Sequence, residues 1–217
     1  MEDIIPSIKE AILTDDISSL GIDFMEIGLE ALFDDEIVKE IPIVKSVFAV
    51  GKTAIAIRNR HLLKKTLVFI QEMKSGKLDQ ERFEDYKKKL NNDKYKEQEI
   101  ERVIIILDRF IDNIRAKYLA KIYVGYINSN INWDEFCDFS EIIDKLLISD
   151  FASLQKSYSK QKFYENDEIV DSHKRFESYG LMMNKSYFGP VWLDDGSGQE
   201  LISMTDKGNM LASLIFN

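Results

Sequence analysis

Apolar residues recur along this chain mostly at helical spacing. Residues 3–13 (DIIPSIKEAIL) predict a short helix with Pro6 near its start, where a missing N–H costs little. Ile17, Leu20, Phe24, Ile27 and Ala31 follow at three- and four-residue steps with Leu32 alongside, predicting an amphipathic helix over residues 17–33. Gly28 lies four residues from both Phe24 and Leu32. It marks either a close helix–helix contact or a weak point in that helix.

The longest apolar stretch spans residues 43–74, with Pro42 as its start signal. Lys45, Lys52 and Asn59 recur every seven residues and share one polar stripe; Val44, Val47, Phe48, Val50, Ala54, Ile55 and Ile57 occupy the other faces. This is the pattern of a central helix buried over most of its circumference. A membrane span needs about 20 mostly apolar residues. The run from Ile41 to Ile57 falls short of that and contains two lysines, each costing about 2.5–3.5 kcal/mol at mid-membrane. A constitutive span is therefore rejected.

Further on, Asp79 can cap a surface helix over 80–91 with Phe83 and Tyr86 inward. Residues 94–128 predict one long helix or two joined ones, with Ile100, Val103, Ile104, Leu107, Ile111, Ile114, Leu119, Ile122 and Tyr123 on the apolar face. Asn132 caps residues 133–147, and 148–163 continue as a helix or turn. The tail differs. A helix over 168–178 stops at Gly180, two strand-like runs flank the turn residues DDGSGQ, and Thr205 caps a last helix. Helix, helix, hairpin, helix is the order of a winged-helix domain. The predicted fold is mainly α: a helical bundle over 1–148, then a winged-helix-like α+β unit with one β-hairpin over 149–217.

Charge divides the bundle. Residues 1–42 hold twelve acids against two bases, whereas 43–74 hold seven bases against one acid. The simplest consequence is that the acidic segment folds against the basic helix, since neutralisation within one chain needs no partner. The whole chain, 217 residues with a net charge of −9, has the composition of a soluble globular protein. Its acidity argues against general nucleic-acid binding, which needs Lys and Arg to replace counterions. A single cysteine, Cys137, cannot form an intrachain disulfide and fits a reducing compartment. Met1-Glu2-Asp3 has the wrong sign for a secretory leader, so a cytoplasmic protein is expected.

No constellation for catalysis, cofactor binding or metal binding emerges. Gly51-Lys52-Thr53 matches the end of a phosphate-binding loop, but Ser46 stands where that pattern needs glycine and no strand precedes it. One Cys and two His are too few for a closed zinc shell. His61 and His173 have no motif partner, and a single exposed or half-buried histidine is more often structural than catalytic. Acidic neighbours would raise, not lower, the pKa of Cys137. In the helix that a winged domain would offer to DNA, Lys174, Arg175 and His173 face Glu168, Asp171 and Glu177, too little excess positive charge for a duplex.

The long helix KYLAKIYVGYI, the acidic-aromatic WDEFCDFSEIIDKL and the segment LISMTDKGNML resemble the bacterial abortive-infection alpha proteins over residues 95–215. The resemblance implies phage-related host defence and transfers no catalytic residue.

A non-enzymatic interaction protein is therefore expected, with a protein partner docking on Tyr187, Phe188 and Trp192 of the hairpin. The alternative is a conditional membrane-active effector: the acidic segment masks helix 43–74, and Lys45, Lys52, Arg58, Arg60, Lys64 and Lys65 meet anionic lipid or an acidic partner once released. A DNA-binding regulator is the third reading. Helices 43–74 and 94–128 are also long enough to pair between two copies of the chain.

Overall fold

The computed structural model describes residues 4–13, 17, 20–49, 57–92, 94–164, 171–184 and 200–217. Among these the protein is mainly helical, with a small antiparallel sheet near the C-terminus. The chain divides into two compact units, 1–140 and 141–217.

The first unit begins with α1 (Ile4–Leu13), α2 (Leu29–Asp34), α3 (Glu36–Lys39), α4 (Pro42–Ala49) and α5 (Ile57–Ser75). The amphipathic helix predicted over 17–33 is not formed; only α2 remains of it. Gly21 adopts φ +65°, a left-handed conformation that ends regular helix. Two residues later Asp23 Oδ1 accepts from the Met25 N–H at 2.8 Å and fixes a local turn. The apolar side chains still reach the interior, since Ile17, Phe24 and Leu32 are buried. Gly28 is the N-cap of α2, with no atom of the described residues near the place a side chain would occupy. The helix expected over 43–74 is described as α4 and α5, the residues between them lying outside the described set.

After α6 (Gln80–Asn92), α7 (Lys94–Arg109) and α8 (Asn113–Ile127) split the long helix predicted over 94–128. Asp112 causes the break by capping α8: its Oδ1 accepts from the Arg115 N–H at 3.1 Å, and its carboxylate pairs with the Arg115 guanidinium. Ile111, expected on the apolar face, is instead 92% exposed in the bend. The other expected caps form. Asp79 accepts from the Arg82 N–H, and Asn132 and Glu135 make a reciprocal capping box at the start of α9 (Trp133–Lys145).

The unit's core centres on Tyr123 of α8, which is fully buried. Its ring lies 5.5 Å from Phe69, 5.4 Å from Phe136 and 6.0 Å from Tyr86. The Tyr86 and Tyr123 hydroxyls hydrogen-bond each other, as buried phenols require. Burial pushes both phenols above their ordinary range, so they stay protonated.

The second unit continues with α10 (Ile148–Lys160), β1 (Lys162–Tyr164), α11 (Asp171–Ser178), β2 (Met182–Asn184), β3 (Glu200–Met204) and α12 (Asp206–Phe216). The expected hairpin strands do pair, Met182 opposite Met204 and Asn184 opposite Ile202. A third strand, β1, was not expected and pairs with the other edge of β3, giving the order β1-β3-β2. Three residues are too few for alternation to register. Between α10 and α11, the Asp150 carboxylate, 1% exposed, accepts from the Arg175 guanidinium and closes the first turn of α10 through the Leu147 N–H.

Thr205 and Gly208, part of the resemblance to the abortive-infection proteins, have structural work here. Thr205 Oγ1 accepts from the Gly208 N–H at 3.0 Å and donates to the Gly180 carbonyl at 2.6 Å. The backbone of α12 then passes so close to Leu181 that a methyl at Gly208 would collide with the Leu181 carbonyl. Backbone cannot swing aside as a side-chain tip can. Gly208→Ala is expected to lower stability by about 1–3 kcal/mol through overpacking; urea unfolding followed by circular dichroism measures it, and an unchanged midpoint would contradict this packing.

Candidate functional site

Each basic residue proposed for lipid or acidic-partner contact has a distinct fate. Lys45 is exposed and pairs with Glu40 at 2.6 Å on the surface, a geometry worth little in water. Arg60 is half-buried; Lys52 and the Arg58 side chain lie outside the described residues. Lys64 and Lys65 are buried, 9% and 4% exposed. Lys64 Nζ donates to the Ile27 carbonyl at 2.5 Å, and burial pulls its pKa below the ordinary lysine value against the opposing field of Asp23. Lys65 Nζ donates to the carbonyls of Phe110 at 2.5 Å and Asp108 at 3.3 Å, holding the bend between α7 and α8. In this structure both ammonium groups donate to backbone carbonyls of the same unit. Tyr187, Phe188 and Trp192, the residues expected to dock a partner, lie outside the described residues, as does Gly51-Lys52-Thr53.

Two turns beyond Lys64, Gln71 also ties the acidic segment to α5. Its Oε1 accepts from the Phe24 N–H at 3.1 Å and its Nε2 donates to the Ile22 carbonyl at 2.5 Å. With Lys64, these bonds hold residues 22–27 as a strap beside α5. Between the strap, α5 and α8 opens a cleft of about 650 Å³. Val68, Ile114, Ile22 and Met25 give it apolar surface; Asp23, Glu26 and Glu72 supply carboxylates against the single ammonium of Lys117. Lys117 Nζ lies 3.7 Å from Glu72 Oε2, and Asp23 shares its field with the Lys64 ammonium, so Glu26 is the carboxylate of the three left in excess. Asp23 and Glu26 are exposed on the rim.

The cleft draws on residues that sequence reasoning did not single out. Only the acid excess over 1–42 pointed toward it. Gln71 and Lys117 carry no local signal: Gln71 bonds to a strap nearly fifty residues away in sequence, and Lys117 joins the same cleft from α8.

Other reactive groups are dispersed. Among the described residues no three His, Cys, Asp or Glu side chains gather as a metal site would require. Cys137 is half-buried and His61 exposed. His173 is buried and contacts Ser157 within the second unit. Arg175, one of the cations considered for DNA, is tied to Asp150. Among the described residues no helix is long and apolar enough to cross a membrane. No protein-family model matches the chain, and neither a curated protein nor a solved structure matches it.

The internal role of Lys65 is directly measurable. Lys65→Met keeps the aliphatic stem but strands the Phe110 carbonyl, and is expected to cost about 1–3 kcal/mol of stability in urea unfolding. Lys45→Met, at the surface pair, is expected to change stability by no more than about 0.5 kcal/mol. Equal effects of the two changes would contradict the assignment.

Proposed function

We propose that the protein is a non-enzymatic interaction module and that the cleft between residues 21–26, α5 and α8 receives a cationic side chain from a protein partner. The observation that carries this reading is the pairing of apolar walls with an excess carboxylate in a preformed cleft. A lysine or arginine suits it, because the aliphatic stem covers apolar surface while the charged head reaches the rim. The strap that shapes the cleft is hydrogen-bonded before any partner arrives, which lowers the ordering cost of association. Long-range attraction from the acidic segment would also speed encounter with a basic partner, most strongly at low salt. The family resemblance suggests phage defence as the setting. Membrane activity through α5 would first require breaking the bonds made by Lys64, Lys65 and Gln71.

A photo-crosslinking residue in place of Met25, introduced into the full chain in its native host, tests the reading. The expected result is one dominant protein adduct, lost when Asp23→Lys and Glu26→Lys are combined. An adduct unaffected by the charge reversal, or none at all, would count against the cleft as the docking site.

A further inference from the structure

Within the second unit, one titratable side chain is enclosed without the partners its charged form needs. His173, on α11, is 3% exposed. Its ring centroid lies 4.5 Å from that of Phe163 on β1 and 6.3 Å from that of Phe176 on α11. Nε2 meets Ser157 Oγ of α10 at 3.4 Å, the outer limit of a hydrogen bond. Among the described residues Nδ1 is buried with no hydrogen-bond partner, and the neighbouring Ser172 Oγ is in the same position.

The consequence does not depend on the tautomer. A neutral imidazole leaves Nδ1 as one unmatched donor or acceptor, which costs on the order of 1–3 kcal/mol. An imidazolium carries a donor on both nitrogens, so Nδ1–H would be a charged donor facing no acceptor among the described residues. The surrounding charges do not help. From α10, Lys156 and Lys160 both repel it. The Asp150 carboxylate of that helix is already occupied by Arg175 and by the Leu147 N–H. From β1 and from α11 itself it meets the aromatic rings of Phe163 and Phe176. Burial first, and the two lysines second, hold the His173 pKa below its ordinary value of 6.5.

We propose that protonation of His173 releases α11 from α10 and β1, making residues 171–178 an acid-gated element. In the open form the imidazole is in water and titrates normally; in the closed form it takes its proton only at lower pH. Below 6.5 the open form therefore binds more protons, and closure weakens as pH falls. Above 6.5 the stabilisation is fully present. Between the two values the opening constant rises by up to about tenfold per pH unit, the dependence of a single proton. The helix so released is the one a winged domain would present to a partner, and it carries the exposed Lys174.

Native-state hydrogen exchange of the full chain, corrected for intrinsic rates, tests this between pH 7.5 and 5. Protection in 171–178 is expected to fall as the pH drops below 6.5, while that of α8 in the other unit holds. His173→Phe, which cannot be protonated and fits an aromatic surrounding, is expected to keep α11 protected throughout. Should that variant not fold, His173→Gln supplies the same comparison. Proton NMR adds an independent readout, because the chain has only two histidines and His61→Gln identifies the other signal. Wild-type α11 that stays protected at pH 5, a non-titrating variant that opens like the wild type, or a His173 signal titrating at its ordinary value would each overturn the proposal.

Discussion

Nine consecutive residues of α5, 62–70, are buried, and the first unit is organised by that constraint. A helix enclosed through more than two turns must find apolar neighbours on nearly every side and internal partners for each polar group it carries inward. Leu67, Val68, Phe69 and Ile70 meet the first demand, each contributing roughly 1.5–3 kcal/mol when fully buried. Lys64, Lys65 and Thr66 meet the second. Thr66 donates to the Leu62 carbonyl of its own helix, while the two lysines reach carbonyls elsewhere in the unit. Lys64, together with Gln71, thus fastens the strap to α5, and Lys65 fastens the α7–α8 bend.

The sequence was most readable where a local rule had local consequences. Asp79, Asn132 and Thr205 cap the helices that follow them because a side-chain oxygen meets a backbone N–H within three residues. Phe83 and Tyr86 point inward as their spacing demands. Reading failed where two local preferences competed. The apolar spacing over 17–33 favoured helix, yet Gly21 and Asp23 favoured a turn, and a turn delivers Phe24 to the interior equally well. Over 94–128, the apolar pattern ran through a break that Asp112 makes by capping α8.

The site was less legible than the fold. A lysine on a mixed helix reads as a solvent-facing charge, because its pairing with a distant carbonyl leaves no trace in neighbouring residues. Lys64 and Lys65 therefore looked available for lipid when they are internal donors. The acidic excess over 1–42 was visible, but the division of labour within it was not: Asp23 and Glu26 stand on the cleft rim, whereas Asp35 caps α3. His173 shows the same limit in the second unit, since α10 and β1 reach it only after the chain folds back.

The claim that α5 uses its cations internally can be met most directly by competitive acylation of lysines on the native full chain, followed by mass spectrometry of each site. Lys45 is expected to react at the rate of a free surface lysine, and Lys64 and Lys65 far more slowly, reaching the same rate only after denaturation. If all three are labelled alike under native conditions, the two ammonium groups face solvent, and the internal bracing of the strap and bend by these lysines is wrong.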